Sequence, residues 1–372
     1  MPITKEWLGT TGDLSLVTNY QQVNVRTAAY AWTLSGSGTT EYYLRTAAAA
    51  DPGFVATPPT SGGVYLDAVA ATKGTLGALT AGQWGFGDND ALGYSTLYVR
   101  LSDGTDPDAK VAGFVKFNQV PQAGEDLIIP TGSGAISSNT DYSATALGRV
   151  TIDRSTTNRA QGSATSPIRL VCTGFIFEGG GQTAAYYDLT SSAIAIEIRS
   201  SASVAADAYG LYLAAAAVTV ADLQGGSVGL GVLTGQPFTC TTSVRTRGSS
   251  VRCKIGDTSV VPLLEAGAGT VEHENSIANI EADGANVTSQ RAAAVSGVVT
   301  ITAGTYTDKS SGTKASVVLS GGTADAQQSG LAVTWSSLTL NSGTLRDDAD
   351  RLTISAFVRP TAAGTVTWMR RP

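Results

Sequence analysis

The second half of the chain alternates short apolar runs with glycine-rich polar turns. The clearest runs, rich in Val, Leu, Ile and Thr, occupy residues 298–302, 315–319 and 337–340. Apolar residues at every second position are the pattern of a half-buried β-strand. Gly-Thr pairs begin at Gly304, Gly322, Gly343 and Gly364, at intervals of 18, 21 and 21 residues. One strand cluster and one turn in about 20 residues predict the coils of a single-chain β-solenoid.

A less regular form of this pattern begins at residue 118. Strand-sized runs occupy residues 126–130, 169–172, 174–177 and 193–198. Nothing has helical periodicity, and the alanine stretches at 46–50 and 214–217 are too short to form a helix alone. We therefore predict that residues 118–372 form one right-handed, single-stranded β-helix whose first coils are irregular. A bare coil end would be an aggregation edge, so a cap or an oligomer partner is expected.

Residues 26–117 carry a different pattern, in which aromatic runs are separated by dense turn signals. Turn-forming clusters occupy residues 35–38, 51–53, 57–59, 61–63 and 103–104. Many short strands at this spacing favour a β-sandwich. We predict that Trp32, Trp84 and the tyrosines form the core of this module. The alternative is that these rings are exposed and stack on sugars. Residues 1–25 are either an extended arm on another surface or the first strand of this module. The predicted fold class is all-β, a sandwich followed by a solenoid.

The composition agrees with an all-β chain that has many tight turns. Gly accounts for 43 of 372 residues, apolar residues for 42% and charged residues for only 15%, which is not the composition of a disordered chain. The net charge of −6 gives a nucleic-acid role no electrostatic basis. The one local basic cluster, Arg359 with Arg370 and Arg371, is interpreted as a polar tail.

The cysteines and the N-terminus bear on the cellular compartment. Cys172, Cys240 and Cys253 are odd in number and lack CxxC spacing, which favours reduced thiols made in a cytoplasm over disulfides or a zinc site. No signal segment is evident, and the longest apolar run, residues 211–218, is too short to cross a bilayer. We therefore expect a chain that is neither secreted through such a signal nor inserted in a membrane.

The single histidine limits the catalytic chemistry. His273 stands between Glu272 and Glu274, and no GxSxG nucleophile motif is present. We predict that His273 is a solvated turn residue; a ring of such residues at a trimer axis is the alternative.

The acidic residues allow two interpretations each. Asp88, Asn89 and Asp90, and the turn from Asp103 to Asp108, could supply oxygens to a hard cation, but these residue types also form ordinary turns. Carboxylate pairs across a groove cleave glycans. The acids clustered in one region are Glu265, Glu272, Glu274, Glu281 and Asp283, which we interpret as solvated surface residues.

Two further motifs are weak. Residues 225–231 lack the Lys-Ser/Thr of a nucleotide loop, and residues 286–288 form a glycosylation acceptor that has meaning only in a secretory context. No catalytic, cofactor or metal site is predicted, and we expect no enzymatic activity.

Several segments together resemble a known module. These are residues 30–33, 35–44, 82–90, 98–104, 118–130 and 226–230. They look similar to a β-sandwich module of tailed-bacteriophage virion proteins, in which it often precedes β-helical segments. The likeness covers residues 7–233. It implies a virion component, made in the host bacterial cytoplasm and forming a homotrimer, and it transfers no catalytic residue.

We therefore expect a head decoration or cement protein whose partner is the major capsid protein. The alternative is a tail fibre or tailspike protein that contacts host glycans through exposed Trp or Tyr. A glycan depolymerase and a bacterial surface adhesin are weaker hypotheses.

Overall fold

The computed structural model describes most of the chain, and the statements that follow concern those residues. They are residues 4–7, 12–15, 20–22, 26–28, 31–37, 40–44, 61–66, 69–109, 112–114, 120–130, 134–137, 140–154, 161–179, 184–189, 194–201, 208–326, 332–348, 352–358 and 364–371. The predicted alanine stretch at 46–50, the turns at 51–53 and 57–59, and Arg359 lie outside them.

The described residues are almost entirely β-structure. They form 27 strands and a short 3-10 turn at Pro107–Ala109, without an α-helix. No helix long and apolar enough to span a bilayer occurs within these ranges. The predicted fold class is confirmed: a small N-terminal sheet module is followed by a β-solenoid of about 10 turns.

The contacts divide the chain into two units. The first comprises Met1–Thr10, Ser15–Pro121 and Glu125–Ile128, and the second comprises Thr11–Leu14, Gln122–Gly124 and Ile129–Pro372. The strands up to residue 129 are β1 Thr4–Trp7, β2 Tyr20–Gln22, β3 Arg26–Ala28, β4 Trp32–Leu34, β5 Tyr42–Leu44, β6 Ser61–Leu66, β7 Val69–Lys73, β8 Gln83–Gly87, β9 Thr96–Arg100, β10 Ala112–Phe114 and β11 Asp126–Ile129.

Eight strands of the first unit form one sheet in the order β3-β10-β6-β7-β8-β9-β5-β4. Neighbours are antiparallel except β7 and β8, which are parallel. Trp32 from one edge packs in the same core as Val64, Trp84 and Leu97, so the sheet curls around a single core. The prediction that Trp32 and Trp84 are core residues is confirmed. Outside this sheet, β1 pairs with β2 and β11.

The second unit is the solenoid. Its strands are β12 Asp141–Arg154, β13 Ile168–Gly179, β14 Ala185–Leu189, β15 Ile194–Ser200, β16 Leu211–Leu223, β17 Ser227–Leu230, β18 Phe238–Thr246, β19 Arg252–Ile255, β20 Val261–Ala266, β21 Thr270–His273, β22 Ile277–Arg291, β23 Val295–Ser310, β24 Lys314–Ala326, β25 Val333–Asp348, β26 Leu352–Val358 and β27 Val366–Arg371. All these strands pair in parallel. Some middle coils use two short strands, whereas β22 to β25 are long strands.

Parallel register stacks the inward residues of successive coils into columns. One column consists of Val244, Leu264, Ile280, Val299, Val317 and Leu338, and every member is fully buried. Burying a side chain of this kind stabilises the fold by about 1.5–3 kcal/mol. Because each coil is covered by its neighbours, the burial repeats along the stack.

The Gly-Thr repeat marks a turn with no room for a side chain. Gly304, Gly322 and Gly343 have φ values of 76°, 62° and 106°, which L-residues with a Cβ rarely adopt. A Cβ at Gly322 would lie 2.6 Å from the carbonyl oxygen of Gly304, one coil earlier. The matching threonines of the first three repeats stack in register, but Thr344 pairs with Thr367. The fourth pair, Gly364-Thr365, is therefore shifted by two residues from the predicted repeat.

Candidate functional site

His273 lies inside the solenoid, so its predicted position in a solvated turn is wrong. It is the last residue of β21, and its side chain is fully buried. The period-two alternation that turns Val271 inward also turns His273 inward, while Glu272 between them faces outward. The two glutamates on either side of His273 had favoured a solvated turn over a buried strand position.

A chain of hydrogen bonds surrounds the imidazole. Nδ1 lies 3.1 Å from the carbonyl oxygen of Asn275, Nε2 lies 2.5 Å from Ser289 Oγ, and Ser289 Oγ lies 2.8 Å from Tyr306 OH. Since a carbonyl only accepts, Nδ1 carries the proton; Ser289 then donates to Nε2, and Tyr306 donates to Ser289. Burial lowers the pKa of His273 to about 4, so the ring is neutral at pH 7.

A buried ion pair lies two coils further along. Lys314 Nζ is 3.3 Å from Asp308 Oδ1, and both side chains are fully buried. The amine also donates to the carbonyl oxygens of Ala293 and Gly312 at 2.8 Å and to Ser310 Oγ at 2.6 Å. The indole of Trp335 donates to Asp308 Oδ2 at 2.9 Å. Burial lowers the pKa of Lys314, while Asp308 opposes that shift.

These buried groups have catalytic residue types but no route to a substrate. The Ser289–His273 hydrogen bond has the form of a nucleophile and its base. However, Ser289, His273 and Asp308 each have an exposed fraction of 0%. The arrangement therefore stabilises the interior of the coils, in which every charged or polar group needs a partner.

The carboxylates singled out in the sequence separate into two groups. Glu265, Glu281 and Asp283 line an open depression of about 430 Å³, together with Arg245 and Arg247. Glu265 and Glu281 are register neighbours on adjacent coils. Glu272 lies on β21 and Glu274 directly follows that strand, and neither residue lines the depression. Glu274 is 9% exposed and forms ion pairs with Lys254 at 2.8 Å and with Arg291 at 3.1 Å. The prediction that all five are solvated is therefore wrong for Glu274.

The depression has a mixed charge. Arg245 pairs with Glu265, and Arg247 Nε lies 3.0 Å from Asp222 Oδ1. Partial burial acts to raise the pKa of Glu265, but the nearby Ser243 hydroxyl and the Arg245 guanidinium outweigh it and hold that pKa below its usual value. Gly267 is among the residues that line the depression, and it contributes no side chain. The surface can therefore offer several polar groups to a hydroxyl-rich ligand.

The acidic residues of the first unit hold turns together. Asp88 accepts hydrogen bonds from the backbone N–H groups of Leu92 and Gly93, at 2.5 and 2.9 Å. Asp90 accepts from the N–H of Gly36 and the hydroxyl of Ser35, both at 2.7 Å. These bonds join the turn to the β4–β5 connection.

The second acidic turn behaves in the same way. Asp103 accepts from Thr105 N at 3.0 Å, Asp106 from Asp108 N at 2.9 Å, and Asp108 from Trp32 N at 2.6 Å. In the described part of the chain, no three His, Cys, Asp or Glu side chains are grouped so that they could hold a metal ion.

The remaining residues singled out in the sequence lie in the interior or in the strands of the solenoid. Cys172, Cys240 and Cys253 are buried free thiols, and burial raises the pKa of Cys172 and of Cys253 to about 12. Residues 225–231 lead into and form β17, and the acceptor motif at 286–288 lies within β22. On the outside of the solenoid, the rings of Tyr186 and Tyr212 stack 4.8 Å apart on adjacent coils.

The first and the last described coils of the solenoid differ in their apolar exposure. In the first coil, Ile136, Val150 and Ile152 are fully buried. In the last coil, Phe357 is 60% exposed and Trp368 is 48% exposed, although both continue columns that are buried in earlier coils. The sequence pattern predicts that a coil end needs a cover, but it does not predict that exposed apolar residues are concentrated in the coil of β26 and β27.

Comparison with family models, with curated proteins and with solved structures finds no match to this chain. Inference of function therefore depends on the residues and geometry of the chain itself.

Proposed function

We propose that this chain is a structural protein of a tailed-bacteriophage virion and that it decorates the head. The observation that carries the proposal is the solenoid, a stack of about 10 turns whose interior is filled by its own side chains. Such a body presents a long, regular outer surface for contacts. The resemblance of residues 7–233 to a virion β-sandwich module supports the assignment of this chain to a bacteriophage particle.

The physical effect of decoration follows from linkage. A protein that binds the closed shell and not the opened one stabilises the closed shell by its binding free energy. The proposed partner is the major capsid protein, and the proposed state on the lattice is a homotrimer. The chain would be made in the host bacterial cytoplasm and then join the particle.

The test is made on virions of the phage that carries this gene. Heads and tails are separated, and each fraction is analysed by mass spectrometry. We expect peptides of this chain in the head fraction, together with the major capsid protein. Virions without this polypeptide would show the proposal to be wrong, and its presence only in tails would favour the second candidate.

The second candidate is a tail protein that binds host surface glycans, and the charged depression favours it. Arg245, Glu265 and Glu281 place planar polar groups side by side on adjacent coils, an arrangement suited to sugar hydroxyls. A glycan array probed with the full chain and with Glu281→Gln tests this role. Binding that Glu281→Gln abolishes would support it, with Glu272→Gln as the matched control outside the depression. Release of reducing sugar ends would add a depolymerase activity.

A further inference from the structure

We propose that the charged depression on the solenoid binds a zwitterionic group, in which one small ligand carries both an anion and an ammonium. This inference rests on the second candidate function and deepens it, because it names the class of glycan: a sugar chain that carries such a group. The depression has a volume of about 430 Å³, within the range of about 300–1,000 Å³ that is usual for small-ligand pockets. Its charged lining residues are Arg245, Arg247, Glu265, Glu281 and Asp283.

The positive side of the depression lies on one coil. Arg245 belongs to β18, Arg247 follows two positions later, and both residues line the depression. Arg245 Nε contacts Glu265, and Arg247 Nε lies 3.0 Å from Asp222 Oδ1. Because each of these contacts is made by Nε, the forked end of each guanidinium keeps most of its N–H donors for another acceptor. Two such forks on one coil suit the oxygens of a phosphate or a carboxylate.

The negative side lies two coils further along. Arg245, Glu265 and Glu281 are in register on β18, β20 and β22, so the Cα atoms of the first and the last are about 9–10 Å apart at the usual strand spacing. Glu281 is exposed and forms no hydrogen bond or ion pair with another described residue. Asp283, two positions later, accepts a hydrogen bond from Thr302 Oγ1 at 2.7 Å through Oδ1 alone. This side therefore offers carboxylate oxygens to an ammonium group.

A ligand with a single sign of charge meets the wrong sign on one side of the depression. An anion held by Arg247 would be repelled by the carboxylate of Glu281, and a cation held by Glu281 would be repelled by the arginines. A metal ion is not indicated, because the described residues contain no group of three His, Cys, Asp or Glu side chains that could hold one. A neutral sugar would leave Arg247 and Glu281 without ionic partners. A zwitterion supplies a partner to both sides.

The arginines are oriented before a ligand arrives. Glu265 lies on the neighbouring coil and holds Arg245, while Asp222 lies on the coil before β18 and holds Arg247. A long side chain that is already held in place loses less conformational entropy when a ligand binds. The acids next to the arginines therefore prepare the anion-binding side, and Glu281 is left to bind the ammonium group.

The test measures binding of O-phosphoethanolamine to the purified full chain by isothermal titration calorimetry. This probe carries a phosphate and an ammonium group in one small molecule. Inorganic phosphate, ethanolamine and glucose are titrated separately, and they supply the anion alone, the cation alone and neutral hydroxyls. We expect one molecule of O-phosphoethanolamine to bind per chain, and each of the other three probes to bind more weakly by about tenfold or more, because hydrogen bonds between charged groups are the strong ones.

Two variants test the two sides of the depression. Glu281→Gln removes the negative charge, and Arg247→Lys removes the forked donor while it keeps a cation next to Asp222. We expect each variant to bind O-phosphoethanolamine about tenfold more weakly than the wild type. Glu272→Gln and Arg199→Lys are the matched controls, because neither residue lines the depression, and they should bind the probe as the wild type does.

Three results would overturn the inference: no binding of O-phosphoethanolamine, equally strong binding of phosphate or glucose, or unchanged binding by Glu281→Gln. The glycan array judges the second candidate function separately. Glycan binding that depends on Glu281, without binding of the zwitterion, would keep that function and remove this inference. Absence of binding in both experiments would remove both.

Discussion

Two columns of inward residues pass through the same coils of the solenoid and differ in chemistry. The first, from Val244 through Leu264 to Leu338, is entirely aliphatic. The second begins as Leu230 and Ile255 and continues as His273, Ser289 and Asp308. All the members of both columns are buried. A parallel stack therefore accepts polar groups in its interior when the coils next to them supply hydrogen-bonding partners.

The difference concerns specificity. An aliphatic residue in the first column can stack on any aliphatic neighbour, since the hydrophobic effect has no direction. In the second column, Asp308 needs Lys314 and the indole of Trp335, and His273 needs Ser289. A shift of one coil against the next would leave a buried charge without its partner, which costs several kcal/mol. We infer that the polar column fixes the register of the coils from β21 to β25.

The largest expected effect comes from breaking the ion pair in the polar column. Lys314→Ala leaves the Asp308 carboxylate buried without its cation, and we expect the free energy of unfolding to fall by about 3–5 kcal/mol. Denaturant unfolding of both proteins measures the change. Arg199→Ala is the control, because Arg199 is 44% exposed in its ion pairs with Glu178 and Glu197, and solvent-exposed pairs contribute little to stability. Similar losses for the two variants would contradict this difference.

A smaller effect is expected in the aliphatic column. Leu264→Ala removes a fully buried side chain and leaves a cavity, which typically costs about 2–5 kcal/mol; we expect about 3 kcal/mol. Leu263→Ala is a matched control, because Leu263 precedes it on β20 and is only half-buried. The same denaturant experiment should give a clearly smaller loss for Leu263→Ala. Equal losses would mean that β20 does not turn Leu264 into the core.

The smallest effect is a dependence on pH. Burial holds the pKa of His273 at about 4, below its ordinary value of 6.5. Between these two pH values, His273 is protonated in the unfolded chain and neutral in the folded chain. The stabilisation is complete above pH 6.5 and is lost as the pH falls towards 4. Between pH 8 and pH 5 the free energy of unfolding should decrease by about 2 kcal/mol.

Because the chain has one histidine, a change in stability at the pH where histidines titrate can be assigned to His273. Stability curves of wild type and His273→Asn are compared between pH 8 and pH 5, above the range in which most carboxylates titrate. The difference between the two proteins should shrink as the pH falls, since only the wild type carries the penalty. A constant difference across this range would show that His273 is not buried as a neutral ring.

The aliphatic column was predictable from sequence, and the polar column was not. Apolar residues at every second position, followed by a Gly-Thr turn, predict a coil from local information alone. The partners of the polar residues are 16 positions apart for His273 and Ser289 and 27 positions apart for Asp308 and Trp335. Since the coils differ in length, the sequence does not indicate which polar side chains meet. Only the parity of His273 with Val271 could have placed the imidazole inside.

The surface was predictable to a smaller extent. The acids Glu265 and Glu281 come together because β20 and β22 are in register, and their separation in the sequence does not reveal this. The sequence marks Phe357 and Trp368 as apolar, but only the structure shows that these two rings are exposed while their register neighbours Leu338 and Leu345 are buried. The shift of Gly364-Thr365 likewise becomes visible only in the strand register, in which Thr344 pairs with Thr367.

The crowded glycine turn described above limits how this chain can change in length. At Gly343 an added Cβ would lie 2.8 Å from the carbonyl oxygen of Gly322, so each turn fits directly against the backbone of the turn before it. Inserting or deleting a few residues inside a coil would displace a glycine from this fit. Duplication or loss of one whole coil would restore it. Relatives of different length are therefore expected to differ by entire repeats, and engineered extension of the body should copy the segment from one such glycine to the next.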